Sequence, residues 1–335
     1  ANNNTAVGGM ALQENTTGIE NVAVGAYSSS SNTEGGQNTA IGYQSLQNNI
    51  SGGGNCAIGR RTLQSNTSGG GNCALGNITL HMNIDGEDNT GLGTSNLTSN
   101  TSGHRNIAIG VGNLKSNMLG NNNIAIGHQT LETNVNGENN IGMGYQSLQV
   151  ATGSNNIAMG YQSLESTTSG IQNTALGYKT GQFLTIGSNN TLIGNSASPS
   201  VVDVSNEITL GNSAVTKLRC NAPLTSLSDA RDKKNIVSLE AGSGINFVNK
   251  LRPVNFVWNM RDGGKVDIPE QGFIAQDLQQ VQKDTNFVVP GLVYDVNPER
   301  IEASYGSLLP VMVQAINDLK NQLDKLHEEI ELLKK

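Results

Sequence analysis

Residues 38–55 read N-T-A-I-G-Y-Q-S-L-Q-N-N-I-S-G-G-G-N. Asn38, Ala40, Ile41 and Gly42 open a unit, Leu46 sits at its middle, Asn49 and Gly52 close it, and Asn55 opens the next. The motif is N-x-A-aliphatic-G, then usually a leucine, then N-x-x-G. Reading outward in both directions, the opening asparagine recurs every 17 residues at Asn4, Asn21, Asn38, Asn55, Asn72, Asn89, Asn106, Asn123 and Asn140. One interval of 16 leads to Asn156, and Asn173 and Asn190 follow at 17. Self-similarity at a fixed short period is the signature of a solenoid, in which each unit buries its apolar side only against its neighbours.

Each unit offers two short candidate strands, such as Thr39–Ile41 and residues 45–47, separated by glycine-bearing turns. Two stacks of apolar residues are expected. One is the aliphatic at the fourth position (Val7, Val24, Ile41, Ile58, Leu75, Leu92, Ile109, Ile126, Met143, Met159, Leu176, Ile193). The other is the leucine row Leu12, Leu46, Leu63, Leu80, Leu97, Leu114, Leu131, Leu148 and Leu164. The asparagine row suits a side-chain amide ladder between in-register strands, with ligand contact as the competing reading. The shaft, residues 1–196, therefore reads as a β-solenoid or β-roll. Two or three buried aliphatics per unit fall short of the entropy cost of ordering 17 residues, so association of chains around a common axis is expected, and the shaft is read as trimeric.

Composition agrees with this and excludes several classes. Only 4% of residues are aromatic and 36% hydrophobic, while glycine numbers 41, which suits narrow cores with tight corners better than one large globular core. The net charge of −7 leaves no basic footprint for nucleic acid. There is no apolar run of membrane-spanning length and no signal segment at Ala1, so the chain reads as soluble and as a fragment of something longer. Cys56, Cys73 and Cys220 form no CxxC pair. Cys56 and Cys73 share one position in adjacent units, as small packing residues or as a rung-to-rung disulfide. His81, His104, His128 and His327 show no ligand spacing, and no residue is assigned to a metal or cofactor.

Beyond Gly194 the period decays. Residues 197–227 read as a neck, with strand-like alternation at 206–212 and 215–219. From Ser228 charged residues become common, and residues 228–306 read as a small α+β domain. A short helix is expected at 245–251, a strand at 254–258, a hairpin turn at 261–264, helical spacing at 273–281 and a strand at 287–296. In residues 307–335, Leu309, Ile316, Leu323 and Ile330 fall at heptad position a, with Met312, Leu319, Leu326 and Leu333 at d. That pattern predicts a coiled coil, taken as trimeric to match the shaft, against the alternative of one helix docked on the small domain.

At the junction, residues 225–236 read T-S-L-S-D-A-R-D-K-K-N-I. Serine is a weak nucleophile that requires a base, and lysine can serve when burial lowers its pKa. Ser228 and Lys233 are five residues apart, wrong for one face of a helix or a strand, so they can meet only across a turn. On composition alone this is equally a solvated surface loop.

The segment Ser228-Asp-Ala-Arg-Asp-Lys233 resembles the S-D-x-R-x-K motif of the endosialidase-type intramolecular chaperones, self-cleaving serine peptidase domains at the ends of phage tailspikes and fibres. Leu251-Arg-Pro-Val254, Gly272-Phe-Ile-Ala-Gln276 and the closing heptads support the resemblance over residues 228–335. The repeats are similar to the shorter head repeats of trimeric autotransporter adhesins. The resemblance implies catalytic Ser228 and Lys233, with Asp229 and Arg231 fixing the turn, and one cut between Leu227 and Ser228. It also implies a homotrimeric virion fibre that binds a host-cell receptor or glycan. The alternatives are a cell-surface adhesin shaft, whose membrane anchor is missing from the C-terminus, and a self-cleaving regulator of the myelin-factor type, which lacks its DNA-binding domain and its membrane span.

Overall fold

A computed structural model describes residues 3–221, 225–226 and 228–334. The chain divides into two compact units, Ala1–Asn212 and Ser213–Lys335.

The first unit is a parallel β-solenoid of about twelve turns. Thirteen short strands, from β1 (Thr5–Val7) to β13 (Ile208–Leu210), stack in chain order into one sheet with a single strand per turn. Alanine lies on alanine through successive rungs, Ala40 beside Ala57 and Ala57 beside Ala74. The 16-residue interval leaves this register intact. β9 (Ile141–Tyr145) pairs β10 (Ile157–Met159) with Ile141 beside Ile157, because the missing residue falls in the corner between Ala151 and Gly153. β13 lies within the stretch read as a neck, and it closes the solenoid rather than leading away from it.

Two expectations about the rung are corrected. The fourth-position aliphatics do not fill the interior. Ile41 and Leu75 are 38% and 45% exposed, whereas Ala40, Ala74 and the leucines Leu46, Leu63 and Leu80 are fully buried. The space between strand and leucine turn admits a methyl group and little more. At Gly91 and Gly142 even a Cβ would stand 2.3 and 2.4 Å from the methyls of Thr79 and Thr130. The larger aliphatics therefore lie on the outer face of the sheet.

Residues 45–47, in turn, form no strand. Leu46 has φ of 51°, and every leucine of its row from Leu12 to Leu164, with Ser29 in the one unit that lacks a leucine, shares this left-handed conformation. That is an unusual state for a branched side chain, held by its surroundings. The segment still bonds from rung to rung, with Leu46 N–H donating to the Thr62 carbonyl at 2.9 Å. Its alternation mimics a strand because it obeys the same inter-rung spacing without strand dihedrals.

The asparagine ladder is present, and it is double. The opening asparagine's side-chain oxygen accepts the backbone N–H of the next one, as Asn38 accepts from Asn55 at 2.9 Å. Asn49 Nδ2 donates to Asn32 Oδ1 at 2.7 Å in a second, parallel ladder. Both ladders converge on one carbonyl per turn, since Gly52 O accepts from Asn38 at 2.9 Å and from Asn49 at 2.8 Å. This explains the N-x-x-G spacing, because polar groups buried in so thin a core must be paired. The second ladder ends at Asn134, whose Oδ1 lacks a partner because Ala151 stands where the next asparagine would. The glycine after each aliphatic is demanded by geometry: Gly110 has φ of 125°, and a Cβ there would lie 1.9 Å from the Gly127 carbonyl.

The second unit has α1 (Ser243–Val248), the antiparallel hairpin β14 (Val254–Asn259) and β15 (Val266–Gly272), and α2 (Ala275–Thr285). The small pair β16 (Val293–Tyr294) and β17 (Glu302–Ala303) follows, and then α3 (Leu309–Leu333). Phe247, Leu278, Val281, Val289, Leu292, Leu308 and Val311 form its core. Of the stretch 287–296, only Val293 and Tyr294 are extended and paired. Residues 215–219 have no regular structure. α3 uses two faces: Val311, Ala315 and Asp318 are buried, while the heptad residues Leu309, Ile316 and Leu323 are about two-thirds exposed.

Candidate functional site: the turn at Ser228 and Lys233

The five-residue spacing is bridged by a short 3-10 turn at Ala230–Asp232. Asp229 caps it, its side chain accepting the Arg231 backbone N–H at 2.8 Å, and Lys233 N–H closes the turn on the Ala230 carbonyl at 3.2 Å. Asp, a strong capping residue, thus sits where the turn requires an acceptor. Arg231 folds back on the same carboxylate through Nε at 3.0 Å. The guanidinium holds the Asp229 carboxyl below the usual carboxylate range, and the carboxylate raises Arg231.

Across this turn Lys233 Nζ donates to Ser228 Oγ at 2.6 Å and reaches the Ser228 carbonyl at 3.4 Å. The hydroxyl and the amine are thus within proton-transfer distance. Ser228, Asp229, Arg231 and Lys233 are all solvent-exposed in the single chain. Leu227, the other side of the expected cut, lies outside the described residues.

The remaining motif residues knit the small domain together. Arg252 Nε donates to Asp277 at 3.0 Å, joining the segment before β14 to the first turn of α2. Tyr305 holds both backbone groups of Phe273, donating to its carbonyl at 2.7 Å and accepting its N–H at 3.2 Å. Sequence reasoning missed Asp318. Its carboxylate accepts the Gly242 N–H at 2.8 Å, the Ile245 N–H at 3.1 Å and Gln314 Nε2 at 2.9 Å, capping α1 from 73 to 76 residues away. These bonds, Gly242 foremost, hold its carboxyl below the usual range. The available signal was that α1 starts at Gly242 with no side-chain cap of its own.

Among the described residues no group of three or more histidines, cysteines and carboxylates converges on a metal-holding site. Cys56 and Cys73 are adjacent free thiols in register, and burial, then the neighbouring thiol, raises the Cys56 pKa. Among the described residues no helix is long and apolar enough to cross a membrane.

A parallel solenoid followed by a small α+β unit that holds the serine–lysine turn is consistent with a tail-fibre-like protein. Residues 228–288 match the family model of peptidase S74, the chaperone of endosialidase, and that match begins at Ser228 itself. The family carries self-cleaving peptidase activity in general. No curated protein and no solved structure matches the chain.

Proposed function

We propose that this chain is part of a phage-type tail or host-attachment fibre whose C-terminal region drives trimerisation and register of the solenoid and then removes itself by one cut between Leu227 and Ser228. The observation that carries the reading is the 2.6 Å contact between Lys233 Nζ and Ser228 Oγ at the first residues of the family match.

The chemistry follows from the chain's own atoms. Neutral Lys233 takes the Ser228 hydroxyl proton as Oγ attacks the Leu227 carbonyl carbon. The C–N bond breaks, and the Ser228 α-amine leaves with that proton, converting the peptide into an ester. Water then cleaves the ester, giving a Leu227 carboxylate and restoring the Ser228 hydroxyl, so one water is consumed per cut. A lysine must lose its proton to act in this way, and an exposed ammonium holds it firmly; burial lowers that affinity. Packing of further chains over the exposed turn would supply the burial, which places the cut after assembly.

One surface supports a homotrimer: the heptad stripe of α3 is apolar and uncovered in the single chain. Because the rungs are near-identical, chains slipped by one unit would bury almost the same area as chains in register. An end-domain that trimerises first sets that register, and its removal leaves a fibre unable to retrace its folding path. Expression of the shaft without residues 228–335 should yield monomer or aggregate; soluble, in-register trimer would overturn the chaperone role.

A further inference from the structure

We infer that the aromatic ladder of His128, Tyr145, Tyr161 and Tyr178 is a binding site for an extended, neutral polysaccharide lying along the solenoid at one sugar per rung. These residues occupy the sixth position of four consecutive units. Their rings stack with centroids 5.3, 5.1 and 5.3 Å apart and planes inclined by only 8° to 14°. Ring planes in contact lie roughly 3.5 to 4 Å apart, so successive rings are offset sideways by roughly 3 to 4 Å and each leaves part of a face uncovered. The three tyrosines are 39% to 48% exposed. Sugar C–H groups, with their slight positive charge, suit the negative face of such rings.

Hydrogen-bonding rows are carried by the residues one and four positions after the ladder residues. Gln162 donates to Gln146 at 3.1 Å and Gln146 to Gln129 at 3.3 Å. Gln149 donates to Glu132 at 3.0 Å, and Glu165 accepts from both Gln162 at 2.7 Å and Gln182 at 2.8 Å. Each amide has two N–H groups and a carbonyl with two lone pairs, so these bonds leave capacity for ligand hydroxyls. Rungs rise by about 4.8 Å, close to the advance of one sugar in an extended β-linked chain, so successive sugars, which alternate in facing, would each meet one rung.

Charge selects within the class. Glu132 and Glu165 follow the ladder residues His128 and Tyr161 by four positions, and the ammonium of Lys179 stands 5.7 Å from the Tyr178 ring centre at one end. Sulfated or sialylated chains and nucleic acids would be repelled by these two carboxylates, whereas a neutral glycan would not. The fold does not require the ladder, since Arg60, Asn77, Thr94 and Val111 hold the same position in four preceding units.

Calorimetric titration of the full chain with cellohexaose, an extended neutral probe, tests this. Maltohexaose, which coils, and polysialic acid, which is anionic, serve as comparisons. Cellohexaose should bind and the other two should not. The Tyr145→Ala/Tyr161→Ala protein should bind at least about tenfold more weakly, having lost two stacking surfaces, while Tyr145→Phe retains affinity. Absence of cellohexaose binding, or equal binding by the alanine protein, overturns the proposal. If the alanine protein does not fold, ring iodination of the parent decides: protection of Tyr145 and Tyr161 by cellohexaose supports the site, and unchanged labelling overturns it. Binding is read by heat and self-cleavage by mass, so either can fail alone.

Discussion

Lys233 Nζ lies 2.6 Å from Ser228 Oγ because a single 3-10 turn, capped by Asp229, folds the intervening residues back on themselves. The cap and the Arg231 ion pair hold that turn, and both sit in solvent. Asp229→Ala and Arg231→Ala should therefore slow self-cleavage on the order of ten- to a hundred-fold without abolishing it, since they misplace the pair rather than remove it. Time-resolved gel analysis of fresh protein checks this, and a rate equal to the parent's would deny the turn its role.

Glycine at the fifth position of each unit should be irreplaceable. Gly110→Ala puts a Cβ 1.9 Å from the Gly127 carbonyl at φ of 125°, and should cost at least about 2 to 3 kcal/mol. Gly9→Ala, with nothing within 4 Å of the added methyl, should be nearly neutral. Calorimetric unfolding of the two variants compares them directly.

The two faces of α3 should separate by mutation. Val311→Ala trims a side chain only 2% exposed and should destabilise the small domain by about 1 to 3 kcal/mol. Leu323→Glu alters a residue 65% exposed in the single chain and should abolish association while leaving monomer stability unchanged. Sedimentation combined with circular dichroism distinguishes these outcomes.

Asp318 should confer acid-dependent docking of α1 on α3. Its carboxyl pKa is depressed in the folded state, so its contribution is complete above the ordinary carboxylate range and fades as pH falls through the lower folded value. Amide exchange at Gly242 and Ile245 should stay slow from neutral pH down into that range. In Asp318→Ala it should be fast throughout. Equal protection in both proteins would show that α1 is held by its apolar contacts alone.

The solenoid and the serine–lysine turn were legible for different reasons. Period and asparagine spacing reveal the shaft because every rung repeats one solution to the pairing of buried amides. The orientation of the strand was not legible: by size alone Ile41 belongs inside and Ala40 outside, and only the narrow gap beneath the strand reverses this. The left-handed leucines escaped notice because a hydrophobic alternation records spacing and not dihedral angle. In the second unit the role of Asp318 was not legible, since nothing local connects it to a helix start 76 residues earlier. Ser228 and Lys233 stood out through the likeness of their segment to a family motif, since their residue types and spacing alone suit a surface loop equally well.

The central claim rests on one bond. Intact mass measurement of the purified parent beside Ser228→Ala and Lys233→Ala tests it most directly. The parent should give two polypeptides, one beginning at Ser228, whose masses sum to the full chain plus one water, and each variant should give a single full-length species. A parent that remains whole, or a variant that is still cut after Leu227, would contradict self-cleavage by this pair.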